Sequence, residues 1–222
     1  QWQSFNITSF NTQNSHLGDL LIDNQGKKWF FIAKGGGMIV YDDNGTPENT
    51  NDDNNKHLNT SAGQGNLPSN TVYSLAIDND GEVWVGTDKG LAVFYDTDEV
   101  FGLNGDAQQV LVEADGYVEP IIANESVTAI AIDGANRKWF GTKNSGVFVY
   151  SADGSQQMEH FTQENSPLLS NTINHISIDN SSGEVFISTD KGLISYKGEA
   201  TSGEKQHGNV LVYPNPVKEN YN

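Results

Sequence analysis

Five histidines, His16, His57, His160, His175 and His207, are the side chains best suited to proton transfer near neutral pH or to holding zinc. They fall into no HxxxH or HExxH spacing and stand beside no partner motif, so the sequence supports neither zinc nor histidine-based catalysis. His16 falls just ahead of an expected strand and His175 within one, which suits structural placement. Asp42-Asp43-Asn44-Gly45 and Asn51-Asp52-Asp53-Asn54 offer the hard oxygen donors that calcium prefers. Neither follows the EF-hand spacing and no Glu is placed to close a cage, so both are expected to be solvated loop. GxSxG and GxxxxGK[ST] are absent, and Gly35-Gly36-Gly37 precedes a strand instead of a helix, which removes the usual serine-hydrolase and nucleotide sites. Without cysteine there is no thiolate ligand, thiol nucleophile or disulfide. The 29 acids must form some close pairs in space, but the sequence nominates none of them for general acid and base work. The expectation is a chain without catalytic residues, metal or cofactor, and with ligand-binding residues that the sequence does not name.

Tryptophan is the remaining candidate, because its face suits a pyranose ring. Trp29, Trp84 and Trp139 each stand six residues after the aspartate of an Ile-Asp pair, at Asp23, Asp78 and Asp133. A fourth pair, Ile178-Asp179, is followed by Phe186. The four aspartates recur at intervals of 55, 55 and 46 residues. Glycine follows in each copy at Gly37, Gly90, Gly146 and Gly192, and four residues later comes Tyr41, Phe94, Tyr150 or Tyr196. Four landmarks in one order, four times over, make an internal repeat. Aromatics at equivalent places in a repeat predict packing between repeats, not sugar binding, so Trp29, Trp84, Trp139 and Phe186 are read as structural anchors together with the four glycines.

Within each copy the hydrophobic period is two. Thr71 to Asp78, Glu82 to Thr87 and Gly90 to Tyr95 read as three short strands, with Asp78-Asn79-Asp80-Gly81 and its counterparts as hairpin turns. A fourth strand is expected ahead of the next copy, as at Met158 to Thr162. Four antiparallel strands in a unit of about 46 to 55 residues, which bury both faces only against neighbouring units, predict an all-β β-propeller of four-stranded blades. The repeats lie near 12–44, 67–97, 122–154 and 169–197, within a propeller over 1–204. Asp42 to Asn66 is expected to be a surface loop, and the QVLVEADGY stretch between Asp96 and Pro120 to supply an outer strand. Trp2 to Asn6 aligns with the fourth strand at Met158 to Thr162 and is expected to complete the last blade, with Asn209 to Tyr213 as the rival for that place.

The formal charge of −17 repels phosphate backbones and anionic lipid surfaces, which argues against nucleic acid. No apolar run reaches the ~18 residues of a membrane helix, so no direct membrane insertion is expected. The chain begins at Gln1 and reads as a trimmed piece of a longer protein.

The string SLAIDNDGEVWVGTDKGLAVF (Ser74 to Phe94) resembles the two-component-regulator propeller repeat of Bacteroidetes proteins, and TAIAIDGANRKWFGTKNSGVFVY (Thr128 to Tyr150) resembles it again. The similarity runs from about Asn14 to Tyr196. VLVYPNPV (Val210 to Val217) looks like the junction ahead of the C-terminal sorting domain of type IX secretion cargo, so 205–222 is read as a linker or the start of such a domain. Together the chain resembles the PorZ-like propeller proteins of that system. The resemblance implies an exported, non-catalytic protein at the cell surface or in the periplasm. It would be a scaffold or binding platform for another protein or a lipopolysaccharide-type surface glycan. The second reading is the oligosaccharide-sensing periplasmic domain of a hybrid two-component system. A third, a polysaccharide lyase or hydrolase, would need a catalytic cluster that breaks one copy's pattern, and no copy is so altered. Only four copies are seen where the family has more blades, and Phe186 replaces tryptophan in the last.

Overall fold

The computed structural model describes residues 16–201 apart from 115 and 199. The expected closing segments, Trp2 to Asn6 and Asn209 to Tyr213, and the 205–222 junction lie outside the described residues.

Strands form where the alternating runs are, because each run can bury one face against the sheet before it and the other against the sheet after it. The first sheet orders β1 (Leu17–Ile22), β2 (Lys28–Ile32), β3 (Met38–Asp42) and β4 (Asn54–Leu58) side by side. The second holds β5 (Val72–Ile77), β6 (Val83–Thr87) and β7 (Gly90–Phe94). A separate hairpin of β8 (Leu111–Ala114) and β9 (Tyr117–Pro120) follows. The third sheet is β10 (Val127–Ile132), β11 (Lys138–Thr142), β12 (Val147–Tyr150) and β13 (Gln157–Phe161). The fourth is β14 (Ile173–Asp179), β15 (Glu184–Thr189) and β16 (Gly192–Lys197). All pairings are antiparallel. The protein is an all-β stack of propeller blades whose first strands, β1, β5, β10 and β14, pack on one another in sequence order.

Two expectations are corrected. Asn54–Leu58, placed in a long loop, is the outer strand of the first blade and pairs Met38 with Leu58 through to Asp42 with Asn54. The segment NNKHL has no apolar alternation, since an edge strand is held by backbone bonds and only Leu58 is buried. The QVLVEADGY stretch is not the outer strand of the second blade: a single bridge joins Val93 to Gln108, just ahead of it, while Leu111–Ala114 folds back on Tyr117–Pro120.

Each first hairpin turn is closed by its aspartate. Asp78 N–H donates to Glu82 O at 3.1 Å, Gly81 N–H to Asp78 O at 3.2 Å, and Gly81 adopts φ +88°. The third blade makes the same turn with Asn136, at φ +61°, in the glycine's place. Three hydrophobic clusters each join two consecutive blades, and a fourth, Phe30, Ile32, Ile39 and Tyr41, belongs to the first blade alone. Gly86 and Gly141 permit this closeness: a Cβ on Gly86 would lie 2.7 Å from Val127 O, and one on Gly141 2.5 Å from Ile173 Cγ2.

Candidate functional site

The spacing of six between aspartate and tryptophan has a direct cause. A side chain at the end of the first strand reaches across the hairpin to the second strand, and there Asp23, Asp78 and Asp133 accept the indole N–H of Trp29, Trp84 and Trp139 at 2.9, 3.0 and 3.0 Å. The three indoles are buried, each against the following blade: Trp29 meets Phe94 at 5.1 Å between ring centres, Trp84 meets Phe140 at 5.7 Å and Trp139 meets Tyr196 at 5.8 Å. No face is left to receive a sugar. Phe186 holds the equivalent place in β15 but is 36% exposed, because its side of the fourth blade has no further sheet among the described residues. It also has no N–H to offer Asp179, which bonds Ser181 instead.

The junction between the second and third blades carries charge. Lys138 is fully buried, and its ammonium lies 2.8 Å from Asp78, 3.0 Å from Asn136 O and 5.2 Å above the Trp84 ring. Burial works against the Asp78 carboxylate, but the Lys138 ammonium, the Trp84 indole and the Glu82 N–H outweigh it and hold its pKa below the usual range. Glu82 is pushed up to about 7, first by burial and then by the charge of Asp78 beside it. Asn136 completes the junction, donating to Asp80 at 2.8 Å and accepting from Asp80's neighbour Asn79 N–H at 2.9 Å.

These bonds place the first hairpin turns of neighbouring blades together, so the turns between second and third strands share the opposite rim. Their glycines are under two constraints. Gly37, Gly90, Gly146 and Gly192 all have positive φ, and a Cβ on Gly37 or Gly146 would lie 2.3 or 2.1 Å from the carbonyl oxygen of Leu58 or Phe161 in the adjacent outer strand. Thr87, Thr142 and Thr189 each donate their hydroxyl to the carbonyl of the glycine that ends the turn, at 2.9, 2.9 and 3.0 Å. His57 and His160 occupy matching places on β4 and β13 and bond the turn carbonyls Gly36 O and Ser145 O at 2.7 and 2.6 Å. Two of the five histidines are thus turn braces.

Each of these turns also carries an exposed lysine: Lys34, Lys89, Lys143 and Lys191. Acids share the rim, with Asp88 and Asp190 beside two of the lysines and Glu125 bonded to Ser145 at 2.7 Å. Asp88 Oδ1 is the one buried side-chain acceptor among the described residues that no donor reaches. The opposite rim is far more acidic, holding Asp23, Asp78, Asp80, Asp133, Asp179 and the 42–53 loop. In that loop Asp43 pairs with Lys28 at 2.7 Å, Tyr41 donates to Asp53, and Thr46 donates to Asp52. The acids are engaged with protein partners, and among the described residues no three ligating groups gather. The lysine rim was missed in the sequence, although the signal was there in Asp88-Lys89-Gly90 and Asp190-Lys191-Gly192.

Residues 66–89, which span β5, its hairpin turn and β6, match the two component regulator propeller family. The chain therefore carries a two-component regulator propeller repeat there and resembles proteins built from such repeats. It is similar to PorZ of Porphyromonas gingivalis, an essential bacterial surface component of the type IX secretion system, with 30% identity and a TM-score of 0.73 over 91% of this chain. That match covers 28% of PorZ, so the chain spans about a quarter of its length. The extracellular domain of the hybrid two component system BT3049 from B. thetaiotaomicron shares 24% identity over 86% of this chain and 22% of its own, with a TM-score of 0.62. The extracellular domain of the one component system BT4673 from the same organism shares 19% over 87% and 26%, with a TM-score of 0.63. These two show the fold. No curated protein sequence matches the chain. The propeller-repeat chain is PorZ-like, and the solved structures it resembles here are surface or extracellular domains. No helix among the described residues is long and apolar enough to cross a membrane.

Proposed function

We propose that these blades belong to an exported, non-catalytic protein of a type IX secretion context and act as a binding platform for another protein or a surface glycan. The observation that carries the reading is the likeness to PorZ over nearly the whole chain. The rim of Lys34, Lys89, Lys143 and Lys191 is the contact surface: its cations project from turns that glycine, threonine and histidine bonds hold rigid, so little ordering entropy is lost on binding. Anionic glycan of the lipopolysaccharide type is the ligand class that suits such a rim on an otherwise acidic molecule.

The test is calorimetric titration of the purified chain with lipopolysaccharide-derived anionic polysaccharide, beside a variant carrying Lys34→Gln, Lys89→Gln and Lys143→Gln. Saturable, salt-sensitive binding that the variant loses without a change in melting temperature supports the reading. Release of shortened glycan would make the chain an enzyme. Binding of neutral oligosaccharide that ignores the lysines would favour the sensor of a hybrid two-component system.

A further inference from the structure

The second blade departs from the repeat where it meets the lysine rim. At the bridge from Val93 to Gln108 the chain runs antiparallel to β7, and β7 begins three residues before Val93, at Gly90. Leu111, three residues past Gln108, is therefore already at the end of the blade, and β8 and β9 project beyond it. Their foot is fixed. Ile121 N–H donates to Val110 O at 2.9 Å, and both residues are buried in the cluster that holds Trp84 and Leu91. Ile122 O lies 2.9 Å from where a Cβ on Gly90 would be. The chain then crosses to the next turn, where Ser126 O accepts Lys143 N–H at 3.0 Å. The hairpin thus rises between the turns that carry Lys89 and Lys143.

Register assigns the two faces of the hairpin. Directly paired residues share a face and alternate along each strand, so Val112, Glu119 and Tyr117 lie on one side and Glu113 and Val118 on the other. Val112 packs on the cluster between the second and third blades, so its face is turned toward the blade stack. Tyr117, 76% exposed, extends that face outward over the rim, roughly 13 Å from Ile121 at about 3.3 Å per residue. Among the described strands β8 and β9 bond only to each other, and a two-stranded ribbon is marginal in water without a covered face. The ring offers a flat apolar surface to the C–H face of a pyranose. Glu119, exposed and two residues along the same face, offers acceptors to its hydroxyls.

We infer that Tyr117 forms a sugar-stacking subsite of the rim, and that the glycan it takes carries neutral pyranoses between its anionic residues. This rests on the proposed role of the rim lysines as the glycan contact surface. The charges set the order of the ligand. Lys89 and Lys143 attract its anionic groups, whereas Glu119 repels an anion and accepts hydrogen bonds from an uncharged ring. A glycan charged at every residue sets an anion against Glu119, and a neutral one leaves the lysines without a counter-charge.

Calorimetric titration of the full chain with three polysaccharide fragments of equal length tests this: hyaluronan, in which neutral and anionic sugars alternate, alginate, anionic at every residue, and dextran, neutral throughout. Hyaluronan is expected to bind about fivefold to tenfold more tightly than alginate, the size of one aromatic contact, and dextran not to bind. Tyr117→Ala abolishes that preference and keeps the salt-sensitive binding of alginate, Tyr117→Phe retains the preference, and Val118→Ser on the opposite face changes nothing. Hydroxyl-radical footprinting gives a second readout: Tyr117 is oxidised in the free chain and protected by hyaluronan. Equal affinities for hyaluronan and alginate, a preference that survives Tyr117→Ala, or a Tyr117 already protected in the free chain overturns the inference. Alginate binding that depends on the lysines, without a preference for hyaluronan, defeats the subsite and leaves the lysine rim standing. Binding of neither anionic glycan defeats both.

Discussion

Asp78 and Lys138 form a pair whose two halves should fail very differently. Asp78 accepts four bonds: Trp84 Nε1 at 3.0 Å and Lys138 Nζ at 2.8 Å on Oδ2, and the backbone N–H groups of Asp80 and Glu82, both at 3.0 Å, on Oδ1. Asp78→Asn keeps an oxygen for the two backbone donors but turns an NH2 toward the indole N–H and the ammonium. Two donors lose their acceptor, and a fully buried cation loses its counter-charge, at a cost of about 3 to 5 kcal/mol. Lys138→Met leaves Asp78 with three N–H donors and keeps an unbranched chain over the Trp84 ring. One charge-assisted bond worth about 1.5 to 3 kcal/mol goes, but so does the desolvation of the ammonium, leaving a net cost of about 1 kcal/mol or less. Urea unfolding followed by tryptophan fluorescence, with m unchanged, should therefore place the Asp78→Asn midpoint well below that of Lys138→Met. Equal midpoints, or Lys138→Met the lower, would refute the assignment of the carboxylate as the centre of the junction.

Trp139→Ala removes a buried anchor between the third and fourth blades and should cost about 3 to 5 kcal/mol in the same assay, measured by circular dichroism. Gly146→Ala forces both a positive φ of 78° and a Cβ 2.1 Å from Phe161 O, so it should cost more than about 2 kcal/mol, whereas Gly26→Ala, at φ +88° with open space around it, should cost about 1 kcal/mol. Glu82 binds its proton more tightly folded than unfolded, so as pH rises from its ordinary 4.5 through about 7 the folded state loses stability from this group. The loss arises beside Asp78, Asp80 and Lys138, and Glu82→Gln should flatten that part of a melting-temperature profile.

Much of the blade was legible because its landmarks are constrained twice over. An aspartate that both closes a hairpin and accepts an indole N–H can sit only six residues before its tryptophan, and Gly146 can be nothing larger where Phe161 O is so near. The outer strand of the third blade, expected at Met158 to Thr162, forms at Gln157–Phe161, but that of the first was not legible: Asn54–Leu58 is held by its backbone, and polar side chains there carry no period. Phe186 matched the pattern in sequence, yet its burial depends on what covers the blade, which a repeat cannot reveal. The rim lysines were hidden for another reason. Lys143 sits one place earlier in its turn than Lys89 or Lys191 in theirs, so alignment by residue blurs a likeness that the shared rim makes plain. His57 and His160 were scattered in sequence because the register of the outer strands, not a motif, brings each to its turn.

The proposed role of these blades as a binding platform of an exported protein is tested most directly in a host that possesses a type IX secretion system. The parent gene, with Lys34, Lys89 and Lys143 changed to Glu, is exchanged for the natural one, and the amount of secreted cargo retained on the cell surface is measured with the parent protein's own surface level as control. The altered protein is expected to reach the surface at its normal level while cargo attachment falls. Normal cargo attachment with the rim charges reversed would contradict it.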